Sequence, residues 1–73
     1  MSPAAFVTLT PQDQWRTFLA MQRHGGGFCT ALAHAWFKGD AANRRRIEAA
    51  FPHLLEYFGP GSFFYTRTEA AND

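Results

Sequence analysis

The residues of this chain best suited to chemistry are three histidines, His24, His34 and His53, and one cysteine, Cys29. A metal site needs ligands that a local structure aims at one point, as C-x-x-C or H-x-x-x-H spacing does. No such spacing occurs here. Cys29 and His34, five residues apart, would diverge by about 500° around a helix. No metal and no other cofactor is therefore expected, and His34 reads as a partly buried, hydrogen-bonded residue.

Nucleophilic catalysis would use Cys29 at the start of a helix, with His24 nearby as base and the helix dipole lowering the thiol pKa. A lone cysteine beside a glycine loop serves more often as a small core residue, and a chain of 73 residues leaves little room for both a scaffold and a substrate cavity. The chain reads as non-enzymatic. Gly25-Gly26-Gly27 opens into a helix, as phosphate loops do, but lacks the following Lys-Ser/Thr and the G-x-G-x-x-G spacing. It reads as an interhelix connection.

Arg44-Arg45-Arg46 is the one charge cluster. Three successive helical residues span about 200° of arc, so they cannot all grip one phosphate row. Arg44 has Glu48 at i, i+4 as a natural pair. The functional alternatives are an acidic protein surface or a nucleic-acid backbone. Asp40, Glu48 and Glu56 lie in the same half of the chain and speak against nucleic acid.

These residues need elements to position them. Thr10-Pro11-Gln12-Asp13 is a helix start, with a threonine cap, proline at the first position and an acid near the positive helix end. A helix is predicted over residues 11–23 with Trp15, Phe18 and Leu19 inward and Met21 to one side, ended by the glycines. The next, from Gly27 or Phe28, is apolar or small around most of its circumference and is expected at the centre of the fold. Gly39 ends it and Asp40 caps a third over residues 41–51. Pro52 is expected to open a short fourth helix over residues 52–58.

The fold class is thus all-α, a small single-domain bundle of three to four helices with extended arms. Residues 1–9 form the N-terminal arm, 10–58 the helical core, 59–68 an extended aromatic tail, and 69–73 a disordered end. The expected core is Trp15, Phe18, Leu19, Phe28, Leu32, Trp36, Ile47, Phe51, Leu54 and Phe58.

Composition bounds the function. Eight Phe, two Trp and two Tyr exceed what so small a core needs, so some rings are expected at an interface, with a partner or with a second copy of the chain. Phe37, Phe63, Phe64 and Tyr65 are the expected surplus. Seven Lys+Arg against six Asp+Glu argue against a protein built to neutralise phosphates. No apolar run is long enough to span a bilayer, and the first ten residues lack the basic and apolar regions of a signal peptide. The expected compartment is a reducing cytoplasm.

Gly26-Gly27-Phe28, Ala31-Leu32, Ala35-Trp36, Asp40, Asn43-Arg44 and the run from Arg46 to Pro52 resemble a group of small bacteriophage and prophage proteins. The resemblance covers about a third of the chain and extends weakly over Tyr57 to Ser62. It implies a cytoplasmic accessory protein of a mobile element in a bacterial host. By analogy with anti-CRISPR and other anti-defence proteins, such a protein binds a host protein and blocks it. The expected contact residues are Arg44, Arg45, Arg46, Phe63, Phe64 and Tyr65. The alternative is a small helix-turn-helix-like regulator that binds nucleic acid through the third helix.

Overall fold

The computed structural model describes residues 9–72, with side chains for residues 9–69. The order is α1 (Pro11–His24), α2 (Gly27–Lys38), α3 (Ala41–Ala50), α4 (Leu54–Phe58) and α5 (Phe63–Asn72), and no strand occurs among the described residues. The class is all-α, with five helices where three to four were expected. The N-terminal arm lies outside the described residues except for Leu9, which packs against the core.

Local chemistry sets the first three helices. The Thr10 hydroxyl accepts from the Asp13 amide at 3.1 Å, and Pro11 fills the first helical position where its missing N–H costs nothing. Gly25 ends α1 by close approach: a Cβ there would fall 2.3 Å from the Cβ of Cys29 and 2.7 Å from the Met21 carbonyl. No larger residue fits where α2 turns back. Asp40 caps α3, its carboxylate accepting from the Asn43 amide at 2.8 Å.

Pro52 does not open α4. Residues 51–56 first wind through turns in which the amides of Leu54, Leu55 and Glu56 bond to the carbonyls three residues back. Helix α4 proper begins at Leu54.

The tail departs most from expectation. Residues 63–72 form α5, a helix, and not an extended segment with a disordered end; Asp73 lies outside the described residues. Ser62 supplies the start, its hydroxyl accepting from the Tyr65 amide at 3.2 Å. The threonines, poor helix formers by propensity, return their hydroxyls to carbonyls one turn back: Thr66 to Ser62 at 2.9 Å and Thr68 to Phe64 at 2.9 Å.

A fifth helix changes the centre of the molecule. Helix α1 packs against α2, α4 and α5, while α2 packs against α1 and α3; α1 is therefore the hub that was expected of α2. Asp13, Arg16, Thr17 and Ala20 recur at i, i+3, i+4 and i+7, forming one stripe of α1. That stripe meets α5: the Tyr65 hydroxyl donates to Asp13 at 2.8 Å, and Arg16 pairs with Glu69 at 3.0 Å. Thr17 and Ala20 are fully buried on it, with the Thr17 hydroxyl donating to the Asp13 carbonyl at 2.7 Å. Phe18 and Met21 are buried as well, and Phe18 stacks on Trp36 with centroids 4.3 Å apart.

Burial on α1 is thus rotated toward α5. Met21 is core, whereas Trp15 is half exposed and Leu19 only partly buried. Phe28, also expected inside, is exposed and touches Phe51 edge-on at 5.6 Å. Phe18, Trp36, Leu54 and Phe58 hold the core as expected, with Leu32, Ile47 and Phe51 packed against it.

Candidate protein-binding surface

The three arginines sit on the first two turns of α3, and the geometry gives each a different task. Arg44 turns back onto the end of α2. Its Nε donates to the Trp36 carbonyl at 2.8 Å, a terminal nitrogen donates to the Phe37 carbonyl at 3.1 Å, and the guanidinium lies 4.3 Å from the centroid of the Trp36 ring. A helix leaves its last carbonyls unpaired and its C-terminus partly negative. Arg44 satisfies both, so it is committed to the α2–α3 corner.

Glu48 completes that corner. It is the partner expected for Arg44, yet its carboxylate accepts instead from the Trp36 indole N–H at 2.8 Å, and the residue is 93% buried on a relative exposure of 7%. Among the described residues Arg16–Glu69 is the only ion pair. Trp36 decides the arrangement, because its buried indole needs an acceptor and its ring offers Arg44 a face.

Arg46 donates to the Asn43 side chain at 2.9 Å on the exposed side of α3. Arg45 is exposed and has no hydrogen bond or ion pair among the described residues. It borders an open concavity of about 280 Å³ lined by Gln14, Ala41, Arg44, Arg45 and Glu48. The next residue of α1, Trp15, is half exposed and meets Phe37 edge-on at 4.6 Å. Gln14 and Trp15 were not expected at a site, since α1 reads in the sequence as a core helix. Only the approach of α1 to α3 reveals them.

The tail aromatics form a separate surface. Helix α5 is held by α1 and α4, and α3 by α2, so the arginines and the tail do not converge on one site. Phe63 is two-thirds exposed, with Arg67 5.5 Å from its centroid. Phe64 is half-buried, stacked on Phe58 at 5.6 Å and on His24 at 5.1 Å. Tyr65 is 4% exposed and belongs to the core, which corrects its place among the contact residues. Burial and, next, the Asp13 hydrogen bond push its hydroxyl pKa from 10.0 up to about 12. Phe37, another expected surplus ring, is half-buried between Trp15 and Trp36. Phe28 and Tyr57 are exposed in its stead.

The histidines and cysteine are dispersed. His24 lies on Phe64, exposed His34 shares a 3.0 Å hydrogen bond with Gln22, His53 meets Phe51 edge-on at 6.2 Å, and Cys29 packs beside Gly25. His34 was expected to be partly buried; the packing of α2 on α1 and α3 leaves it outside. No group of three metal-ligating side chains occurs among the described residues. No helix among them is long and apolar enough to cross a membrane. No protein-family model, curated protein or solved structure matches the chain.

Proposed function

We propose that this chain is a non-enzymatic binding module that docks on another protein through the α1–α3 face. The observation that carries the reading is Arg45, an uncommitted guanidinium beside an open concavity whose α1 wall, Gln14, directly precedes a half-exposed tryptophan in the chain. Arginine and tryptophan are the side chains that most often anchor protein interfaces. The resemblance of the Gly26 to Pro52 pattern to phage and prophage proteins supplies the class of partner, a host protein in the bacterial cytoplasm that the chain inhibits in the manner of an anti-defence protein.

Affinity capture from host lysate tests the reading, comparing wild type with an Arg45→Glu/Trp15→Ala variant of unchanged circular dichroism. A host protein retained by the wild type and lost by the variant is expected; equal capture would sink the reading. Nucleic-acid binding is the weaker alternative, because Arg44 is committed to the α2–α3 corner and Asp40 caps the same helix. Duplex DNA that binds at low salt and dissociates steeply as salt rises would favour it.

Self-association is a second use of exposed rings. Tyr57, Phe63 and Phe28 are each about three-fifths or more exposed, and sedimentation equilibrium at micromolar concentration would return a dimer mass. A monomer mass there would remove the idea.

A further inference from the structure

We infer that the concavity between α1 and α3 receives a single carboxylate side chain from an acidic segment of the partner, with Arg45 as its donor. This rests on the protein-binding reading above and names the chemistry of that partner. Of the polar side chains in the lining, Gln14 is tied to the Leu9 carbonyl at 3.4 Å, Arg44 to the carbonyls of Trp36 and Phe37, and Glu48 to the Trp36 indole. Arg45 alone has all its donors uncommitted.

Charge selects the occupant. Two guanidinium groups against one carboxylate leave one uncompensated positive charge in the lining, and a carboxylate brings it to neutrality. A cation would meet Glu48 already engaged and outnumbered. A phosphodiester carries the same single charge, but a nucleic-acid backbone needs a row of cations, and the adjacent Arg46 is held by Asn43 while Asp40 caps the same helix. The volume, about 280 Å³, lies just below the usual range for drug-sized ligands, roughly 300–1,000 Å³. It suits one side chain with part of its flanking peptide.

The arrangement carries its own reporter. The Trp36 indole N–H bonds to Glu48, which lines the concavity, so a carboxylate entering there shifts its nuclear magnetic resonance signal. The probes are an acetylated, amidated peptide rich in glutamate and its glutamine counterpart. Expected is a saturable shift of the Trp36 indole signal with the glutamate peptide alone, weakened about tenfold or more in Arg45→Gln, as loss of a charge-assisted bidentate contact implies, and retained in Arg46→Gln.

Equal shifts from the two peptides, full binding by Arg45→Gln, or no shift at millimolar glutamate peptide would each overturn the inference. A shift produced by a short DNA duplex and not by the glutamate peptide would also overturn it, in favour of nucleic acid. The inference and the broader reading fail separately. Peptide binding without host-protein capture leaves the carboxylate site standing and removes the proposed function. Full host-protein capture by Arg45→Gln removes the site and leaves the function.

Discussion

Two of the joints in this molecule, the α2–α3 corner and the α1–α5 contact, use polar side chains over very different lengths of chain. At the α2–α3 corner, Arg44 reaches carbonyls seven and eight residues back and Glu48 an indole twelve residues back. At the α1–α5 joint, Tyr65 and Arg16 reach partners 52 and 53 residues away. The corner buries its carboxylate against a tryptophan, whereas the Arg16–Glu69 pair is one-third to nearly half exposed. A short polar clasp around a buried ring makes a rigid corner. The long-range joint relies on packing, with polar contacts that orient it.

The sharpest way to break the contrast is Trp36→Ala. It removes the stack with Phe18, the face under Arg44 and the donor to Glu48, and should cost about 3–5 kcal/mol, the range for large aromatic truncations in a core. Urea denaturation followed by circular dichroism should show a domain unfolded or nearly so in water; near wild-type stability would deny the corner its role.

Arg44→Ala is the next test. It leaves two α2 carbonyls without their charged donor and should cost about 1.5–3 kcal/mol, the range for hydrogen bonds to charged groups. Arg45→Ala, two bonds fewer and one residue on, should stay within about 0.5 kcal/mol as exposed positions do. Equal losses from the two variants would mean that the arginines act as one solvated patch.

Tyr65→Phe probes the long-range joint and should cost toward the lower end of about 1.5–3 kcal/mol, for one hydrogen bond to a carboxylate. Its effect should concentrate in hydrogen exchange of α5, with α2 and α3 protected as before. Burial of the same hydroxyl, with that bond second, sets an alkaline limit. The unfolded chain loses the tyrosine proton near pH 10 while the folded chain holds it to about 12. Stability from this group is therefore complete below pH 10 and declines as pH climbs from 10 to 12. The phenylalanine variant should lose this decline.

Arg16→Ala should have the smallest effect, about 0.2–1 kcal/mol, diminishing further in high salt. A loss as large as that of Arg44→Ala would erase the distinction between the two joints.

Helices α1 to α3 were readable because their limits are set within a few residues. Thr10 with Pro11, Gly39 with Asp40, and the crowded Gly25 act through adjacent backbone, so type and spacing were enough. Of the candidate site, Arg45, Arg46 and Phe63 were legible as exposed side chains, but the commitment of Arg44 to the α2–α3 corner was not. An i, i+4 rule pairs Arg44 with Glu48; the fold instead inserts Trp36 between their functions.

The aromatic tail shows where local reading stopped. Phe63, Phe64, Tyr65 and Thr66 favour extended structure by propensity, and Ser62 was the one local sign of a helix start. Helicity there depends on α1 offering Thr17 and Ala20 as a shallow bed and Asp13 and Arg16 as partners. Such a stripe of small and polar residues resembles a solvated face until another helix covers it. The all-α class and the α2–α3 corner follow from sequence because short-range capping and turn energies decide them. The fifth helix and the central place of α1 arise only when segments about fifty residues apart bury one another's surface, and the concavity at Arg45 only when α1 meets α3, about thirty residues on.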